Sequence, residues 1–342
     1  MRLVLTMLGV GVSALLTIAM FTMAGWNVPP LKTAQIGYRG VAMGLVTTPS
    51  AEEKLKAANV LPDPVDPASP DGDKATAVYQ NIQVLTDLSA EQFNRVMLSI
   101  TEWVAPEAGC AYCHNVENMA DDGLYTKMVA RRMLQMTRHI NTDWKQHVAN
   151  TGVTCWTCHR GNAVPTNIWF KDNGAPHAGG FASTNFGMGH PNKANGLTDL
   201  HQDPFSPLLE GAETIRVAAT QALPTTGAGQ PIFTTERTYS LMIHMSEGLG
   251  VNCTFCHNSR AFSQWSQSTP QRGTAWYGIR MARDLNNTYL APLQATYPAN
   301  RLGPTGDAPK LNCATCHQGV NKPLYGVSMA KDYPELGGVT AQ

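Results

Sequence analysis

Four times in this chain a pair of cysteines separated by two residues is followed directly by histidine: "CAYCH" at 110–114, "CWTCH" at 155–159, "CTFCH" at 253–257 and "CATCH" at 313–317. All eight cysteines fall in these motifs. With ten histidines in 342 residues, a histidine follows a given cysteine by chance roughly 3% of the time, so four coincidences have odds on the order of one in a million. A zinc site or a redox dithiol uses the two cysteines but has no need of the adjacent histidine. The pattern reads as four attachment sites for haem c. Cys110 and Cys113, Cys155 and Cys158, Cys253 and Cys256, and Cys313 and Cys316 form thioethers with the macrocycle, and His114, His159, His257 and His317 supply one axial nitrogen to each iron.

The opposite axial position decides the chemistry. If it is filled by methionine or histidine, iron exchanges electrons with little rearrangement; if it is open, iron binds and transforms a small molecule. Met97, thirteen residues before Cys110, and Met242, eleven before Cys253, sit in matching segments and are candidates, although a methionine on an apolar stripe also serves as core filler. The segment before the second motif offers Met133, Met136, His139 and His147. Met133 and His147 would lie roughly 21 Å apart along a continuous helix, too far to serve one iron. For the fourth motif, spacing does not choose between Met281 and a histidine from the first half.

The elements that must carry these residues are mostly helical. "LSAEQFNRVMLSITEWV" has Ser89 and Gln92 as a capping box and Phe93, Val96, Met97 and Ile100 at helical spacing. A long amphipathic helix is expected before the second motif, with Val129, Met133, Met136, Ile140, Trp144 and His147 along one stripe. "SLMIHMSEGL" and "AWYGIRMARDLNNTYLAPL" repeat the two segments weakly. The fold class is therefore mainly α with long irregular loops, in two pseudo-repeated haem-pair halves at 81–165 and 231–342, joined by a connecting segment at 166–230. Residues 27–80, rich in Pro and Ala as in "LPDPVDPASPDGD", read as an extended strap on a partner's surface.

Residues 3–26 carry no charge, and as a helix they would measure roughly 36 Å, enough to cross a hydrocarbon core of about 30 Å. The stretch is longer than the apolar centre of a secretory signal, so residues 1–26 read as a retained transmembrane anchor. Cys110 is the first cysteine, which leaves no cysteine near the N-terminus for a lipid. Because c-type attachment in bacteria takes place outside the plasma membrane, the rest of the chain is expected on the periplasmic side. Net charge is zero and only 15% of residues are charged, so there is no basic excess with which to neutralise nucleic-acid phosphates.

Beyond the motifs themselves, "ITEWVAPEAGCAYCHN", "ARRMLQMTRHINTDWKQHVANTGVTCWTCHRGN", "STPQRGTAWYGIRMARDLNNTYLAPL" and "CATCHQGVNKPLYG" are similar to the tetrahaem cytochrome c subunit of the purple-bacterial photosynthetic reaction centre. The resemblance runs from about 36 to 337 and is weakest in 51–75 and 163–230. It implies that Met97 faces His114, Met133 faces His159, Met242 faces His257, and His147 is the distal ligand of the fourth haem opposite His317. It also implies a near-linear array ordered first, second, fourth, third, with the third nearest the photo-oxidised bacteriochlorophyll pair. The implied partners are the L and M subunits, with H in the complex, the light-harvesting 1 antenna, and a soluble cytochrome c or high-potential iron–sulfur protein as donor. This makes the chain an electron carrier rather than an enzyme. The competing readings are a multihaem enzyme with an open iron and a membrane-anchored tetrahaem quinol dehydrogenase.

Two arginines stand where they could raise haem potentials or bind propionates: Arg160, directly after the second motif, and Arg272, in "TPQRGTAWYG". Glu102, Glu107, Glu117, Asp121 and Asp122 surround the first motif, either as a solvated face or as a field that steers a basic donor.

Overall fold

The computed structural model describes residues 2–23, 31–172, 191–217 and 232–337. It is mainly helical with long loops. In chain order the elements are α1 (Arg2–Met23), β1 (Lys32–Ile36), β2 (Met43–Thr47), α2 (Pro49–Ala58), α3 (Ala75–Val78), α4 (Ala90–Val104), α5 (Tyr125–Asp143), α6 (Lys145–Val148), α7 (Cys155–His159), β3 (Ile168–Trp169), α8 (Ile232–Leu249), α9 (Pro270–Leu285), β4 (Lys310–Leu311) and α10 (Cys313–His317).

The expected N-terminal helix forms over Arg2–Met23 with exposed apolar side chains such as Leu8, Leu15, Leu16 and Phe21. Among the described residues, however, no helix is long and apolar enough to cross a membrane. The last three residues of the expected span, 24–26, lie outside the described residues.

The strap is less extended than its composition suggests. β1 and β2 pair antiparallel as a hairpin, and α2 follows, capped by Thr48, whose side chain accepts from the Ala51 amide. Pro49 begins α2, the one helical position where a missing N–H costs nothing. Beyond α2 the chain runs over its own helical body. The Trp156 indole donates to the Val60 carbonyl, and Arg95 donates to the carbonyls of Val65 and Asp66.

α4 begins with the expected capping box: the Gln92 amide donates to Ser89 Oγ and the Ser89 amide to Gln92 Oε1. Its inner face buries Val96, Ser99 and Trp103. The long helix expected before the second motif breaks at Trp144 (φ −110°, ψ 30°), giving α5 and the single turn α6. The break has a cause on another element: Asp284 of α9 accepts from the Trp144 indole at 2.9 Å and lies 2.7 Å from His139 Nε2.

The segment expected to be a mere connection contributes to the core. Phe205, Leu208 and Leu209 are buried with Leu241, Ile279 and Leu285. Trp169 pairs across β3 and β4 with Lys310, and its indole donates to the Leu311 carbonyl.

The C-terminal residues return to the first half. Tyr333 packs edge-on against Trp103 with ring centres 4.6 Å apart, and Leu336 is fully buried in the same cluster. Arg95 and Glu335 form an ion pair at 3.2 Å with side chains only 4% and 2% exposed. Removing one member of such a pair leaves a charge buried without its partner, at a cost of about 3–5 kcal/mol. Arg95→Leu is expected to lower the melting temperature accordingly and to expose residues 327–337 to protease; an unchanged melting curve would show that the tail is not fastened through this pair.

Candidate haem-attachment site

The four motifs fold in two ways. The first and third are short 3₁₀ turns, Gly109–Tyr112 and Cys253–Phe255, whereas the second and fourth are the five-residue helices α7 and α10. The sequence contains the reason. Asn312 and Thr315 cap α10 reciprocally, and on α7 the Thr154 amide donates to the Thr157 hydroxyl. The first motif has no side-chain cap, and at the third Asn252 caps the Thr254 amide but Phe255, in the place of Thr157 and Thr315, has no hydroxyl to return the bond. Both short helices end in a left-handed residue, Arg160 (φ 50°) and Gln318 (φ 47°).

Each turn brings a backbone carbonyl back to its histidine. His159 Nδ1 lies 2.8 Å from the Asn162 carbonyl and His317 Nδ1 lies 3.0 Å from that of Val320. In the longer loops, His114 Nδ1 lies 3.0 Å from the Met119 carbonyl and His257 Nδ1 lies 2.8 Å from that of Phe262. A carbonyl can only accept, so Nδ1 carries the proton in all four rings and Nε2 keeps its lone pair for a metal. Burial pushes His159, His257 and His317 down, His317 to about 4, where the facing His147 adds to the effect. Neutral imidazole is the form that binds a metal.

Among the further histidines, His147 shares this signature. Its Nδ1 lies 3.0 Å from the Thr274 carbonyl, and its ring centre lies 6.0 Å from that of His317, the planes inclined at 66°. With metal–nitrogen bonds of about 2.0–2.1 Å on each side, two imidazoles facing across one ion stand about 6 Å apart. His139 has no nitrogen to offer, since Nδ1 lies 2.7 Å from Asp143 and Nε2 2.7 Å from Asp284.

A cavity of about 920 Å³, near the top of the range of about 300–1,000 Å³ for ligand pockets, is lined by Met97, Cys110, Cys113 and His114. Met133, Cys155, Cys158 and His159 line it as well. Its lining thus combines thiols, imidazoles and thioethers with an apolar wall, a donor set that suits haem c. Arg301, a residue of the second half that no local pattern marks, lines it too and hydrogen-bonds Tyr112. Met242 sits on α8, which leads directly into the third motif.

Cys158 and Cys316 are joined as a disulfide, with Cα atoms 4.4 Å apart, while the other six motif cysteines are free. A sulfur in a disulfide has no valence left for a thioether, so this bond and attachment at either cysteine are alternative states. Burial pushes the thiols of Cys155 and Cys313 up to about 12 and that of Cys256 to about 11, which keeps them protonated. Around the disulfide the two motifs exchange hydrogen bonds: Gln318 Nε2 donates to the Cys158 carbonyl at 3.2 Å, and Arg160 Nη2 to that of Cys316 at 3.5 Å.

Arg160 also donates to the Ala58 carbonyl and Asn59 Oδ1, so it fastens the strap. Arg272 lies over the Trp265 ring at 4.2 Å, donates to Ser268 Oγ, and is close enough to Cys256 for the two to interact electrostatically. Of the acidic residues by the first motif, Asp122 pairs with Arg131 and Lys127, which hold its carboxyl well below the usual range. Glu102, Glu107, Glu117 and Asp121 are exposed.

Over residues 27–337 the chain matches the family model of the photosynthetic reaction centre cytochrome C subunit. It belongs to that family. It is 51% identical to the photosynthetic reaction center cytochrome c subunit of Rubrivivax gelatinosus over 314 residues, 92% of this chain and 86% of that relative. It is 47% identical to the subunit of the same name from Thermochromatium tepidum, covering 94% of this chain and 79% of that relative, and 42% identical to that of Roseobacter denitrificans, covering 91% and 88%. As a reaction-centre cytochrome c subunit the chain carries covalently bound haem, associates with the reaction centre and is an electron carrier to it.

In this cytochrome subunit the third motif also holds the hairpin. Thr254 is 1% exposed; its hydroxyl donates to the Ile36 carbonyl and accepts from the Met43 amide at 3.0 Å, and Asn252 Nδ2 donates to the Met43 carbonyl. Gly37 (φ 115°) makes the close approach possible, since a β-carbon there would lie 2.8 Å from Thr254 Cβ. Thr254→Val keeps the shape but removes the hydroxyl that pairs with the Ile36 carbonyl and the Met43 amide, which weakens the hold on the hairpin. Amide exchange over residues 32–47 is expected to accelerate while haem content stays constant; unchanged exchange would mean that other contacts hold the hairpin.

Proposed function

We propose that this cytochrome subunit carries four haems c and re-reduces the photo-oxidised bacteriochlorophyll pair of the reaction centre from the periplasmic side. When bound, the haems supply iron centres that cycle between ferrous and ferric states and so pass single electrons. The residues that would hold them are the thioether cysteines of the four motifs, with Met97 and His114, Met133 and His159, Met242 and His257, and His147 and His317 as the ligand pairs for the irons. The observation that carries this reading is the facing pair His147–His317, which joins the first half to the second at a distance suited to one metal ion. The carbonyls at Nδ1 of both rings fix tautomer and orientation before a metal arrives.

In this reading the two halves are pseudo-repeats. α4 and α8 each run into a 3₁₀ motif, and each packs on the helical motif of its own half: the Gly161 amide donates to the Trp103 carbonyl as the Gly319 amide does to that of Gly248. Attachment would take the sulfurs of both Cys158 and Cys316, each as a free thiol. The L and M subunits, with H and the antenna, are the neighbours in the complex, and the exposed apolar side chains of α1 suit an apolar surface of the membrane or of those subunits. A soluble cytochrome c or high-potential iron–sulfur protein delivers the electron near the first motif, where Glu102, Glu107, Glu117 and Asp121 contribute the negative field and Asp122 is neutralised. Arg272, beside Cys256, disfavours the more positive ferric state of the third haem, and Arg160 has mainly a fastening role.

Flash-induced absorbance changes on native membranes test the function: haem oxidation within milliseconds of a flash is expected, and its absence would sink the reading. For the ligand set, His147→Met is expected to raise the potential of the fourth haem, because thioether ligation favours ferrous iron relative to imidazole. A shift at the third haem instead would overturn the assignment.

A further inference from the structure

Gly278, midway along α9, faces the ring of His147. A β-carbon at this position would lie 2.6 Å from His147 Cε1, 2.9 Å from Nδ1 and 3.3 Å from Nε2. These separations are shorter than packed carbon and nitrogen atoms tolerate, so the imidazole occupies this place only while residue 278 has no side chain. The backbone at 278 is ordinary helix, and there glycine is less favourable than alanine. Conformation therefore does not call for glycine, but the ring does. Gly273, on the same helix, has nothing within 4 Å of its own β-position, so the requirement is local to 278.

The slot is part of a larger seat. One turn before it, the Thr274 carbonyl accepts from His147 Nδ1 at 3.0 Å. Beyond it, Asp284 accepts from the Trp144 indole and lies 2.7 Å from His139 Nε2, so the bend between α5 and α6 is held on both sides of the slot. α9 thus presents three features to the element that carries His147: a carbonyl, a gap and a carboxylate.

We propose that Gly278 is a positioning residue for the fourth haem. It admits the His147 ring to the depth at which Nε2 reaches the metal position in front of His317, so that a helix of the second half sets the geometry of a ligand from the first. This rests on the His147–His317 pair proposed above. Gly278 touches no reacting atom itself and acts through His147 alone.

The test uses the whole reaction-centre complex with the subunit carrying Gly278→Ala, Gly278→Val, Gly273→Ala or His147→Ala. The readouts are haem spin state by electron paramagnetic resonance, carbon monoxide binding to the reduced complex, and the individual midpoint potentials. Gly273→Ala is expected to match the wild type. His147→Ala is expected to lose the low-spin signal of one haem and gain carbon monoxide binding there. Gly278→Val is expected to reproduce that loss at the same haem, and Gly278→Ala to shift that haem's potential alone. Wild-type spectra and potentials in Gly278→Val, together with the expected loss in His147→Ala, would overturn the positioning role and leave the ligand standing. Low-spin signals intact in His147→Ala would overturn the ligand assignment and the positioning role with it. Disturbance of all four haems by Gly278→Ala would mark a general packing role and also overturn the proposal. If Gly278→Val fails to assemble, Gly278→Ala decides: a shift confined to the fourth haem supports the role, and no shift overturns it.

Discussion

A histidine offered to a metal must keep its proton on the other nitrogen, and here backbone carbonyls meet that requirement at five rings. Asn162 and Val320 supply them within one turn of the helical motifs, Met119 and Phe262 from longer loops, and Thr274 from a separate helix. The tight versions need a chain reversal directly after the histidine, and Arg160 and Gln318 enter the left-handed region to make it. For a residue with a β-carbon that conformation costs roughly 1–2 kcal/mol. Caps at Thr154 and Asn312 and the hydrogen bonds exchanged between the two motifs hold the strained turns in place.

The two helical motifs contact each other, and several other elements pack on them. α4 and α8 support α7 and α10 from outside, β3 and β4 stitch the residues after one motif to those before the other, and the strap crosses both. A strap that fastens the Arg160 guanidinium by the Ala58 carbonyl and Asn59 Oδ1 limits what that cation can do electrically. Burial lowers its pKa to about 10, and its hydrogen-bond donors point at backbone and amide oxygens.

How much of this was legible in the sequence depended on whether the controlling contact was local. The four motifs, the capping box at Ser89 and Gln92 and the helices before the first and third motifs follow from residues a few positions apart. The helix break at Trp144 does not, because its cause is Asp284, 140 residues away. Likewise, Pro-rich composition suggested an extended strap, but the hairpin within it is stabilised by Thr254, which lies far along the chain. Residues 191–217 lack a period because they enter the core as short turns rather than along one face of an element, so pattern could not reveal Phe205, Leu208 and Leu209 as core. For the fourth haem the resemblance named His147 rather than His139; in the structure His139 has carboxylates at both ring nitrogens, whereas His147 has a carbonyl at only one.

The return of the C-terminal residues to α4 orders events in time as well as in space. Arg95 is buried against Glu335, Tyr333 and the Asp332 carbonyl, so the first half cannot reach its final packing until residues 332–335 are in place. A chain made from its N-terminus therefore presents its first two motifs in unfinished structure while the other two are still arriving. Closure of the first half is therefore set by contacts that residues 332–335 make with it.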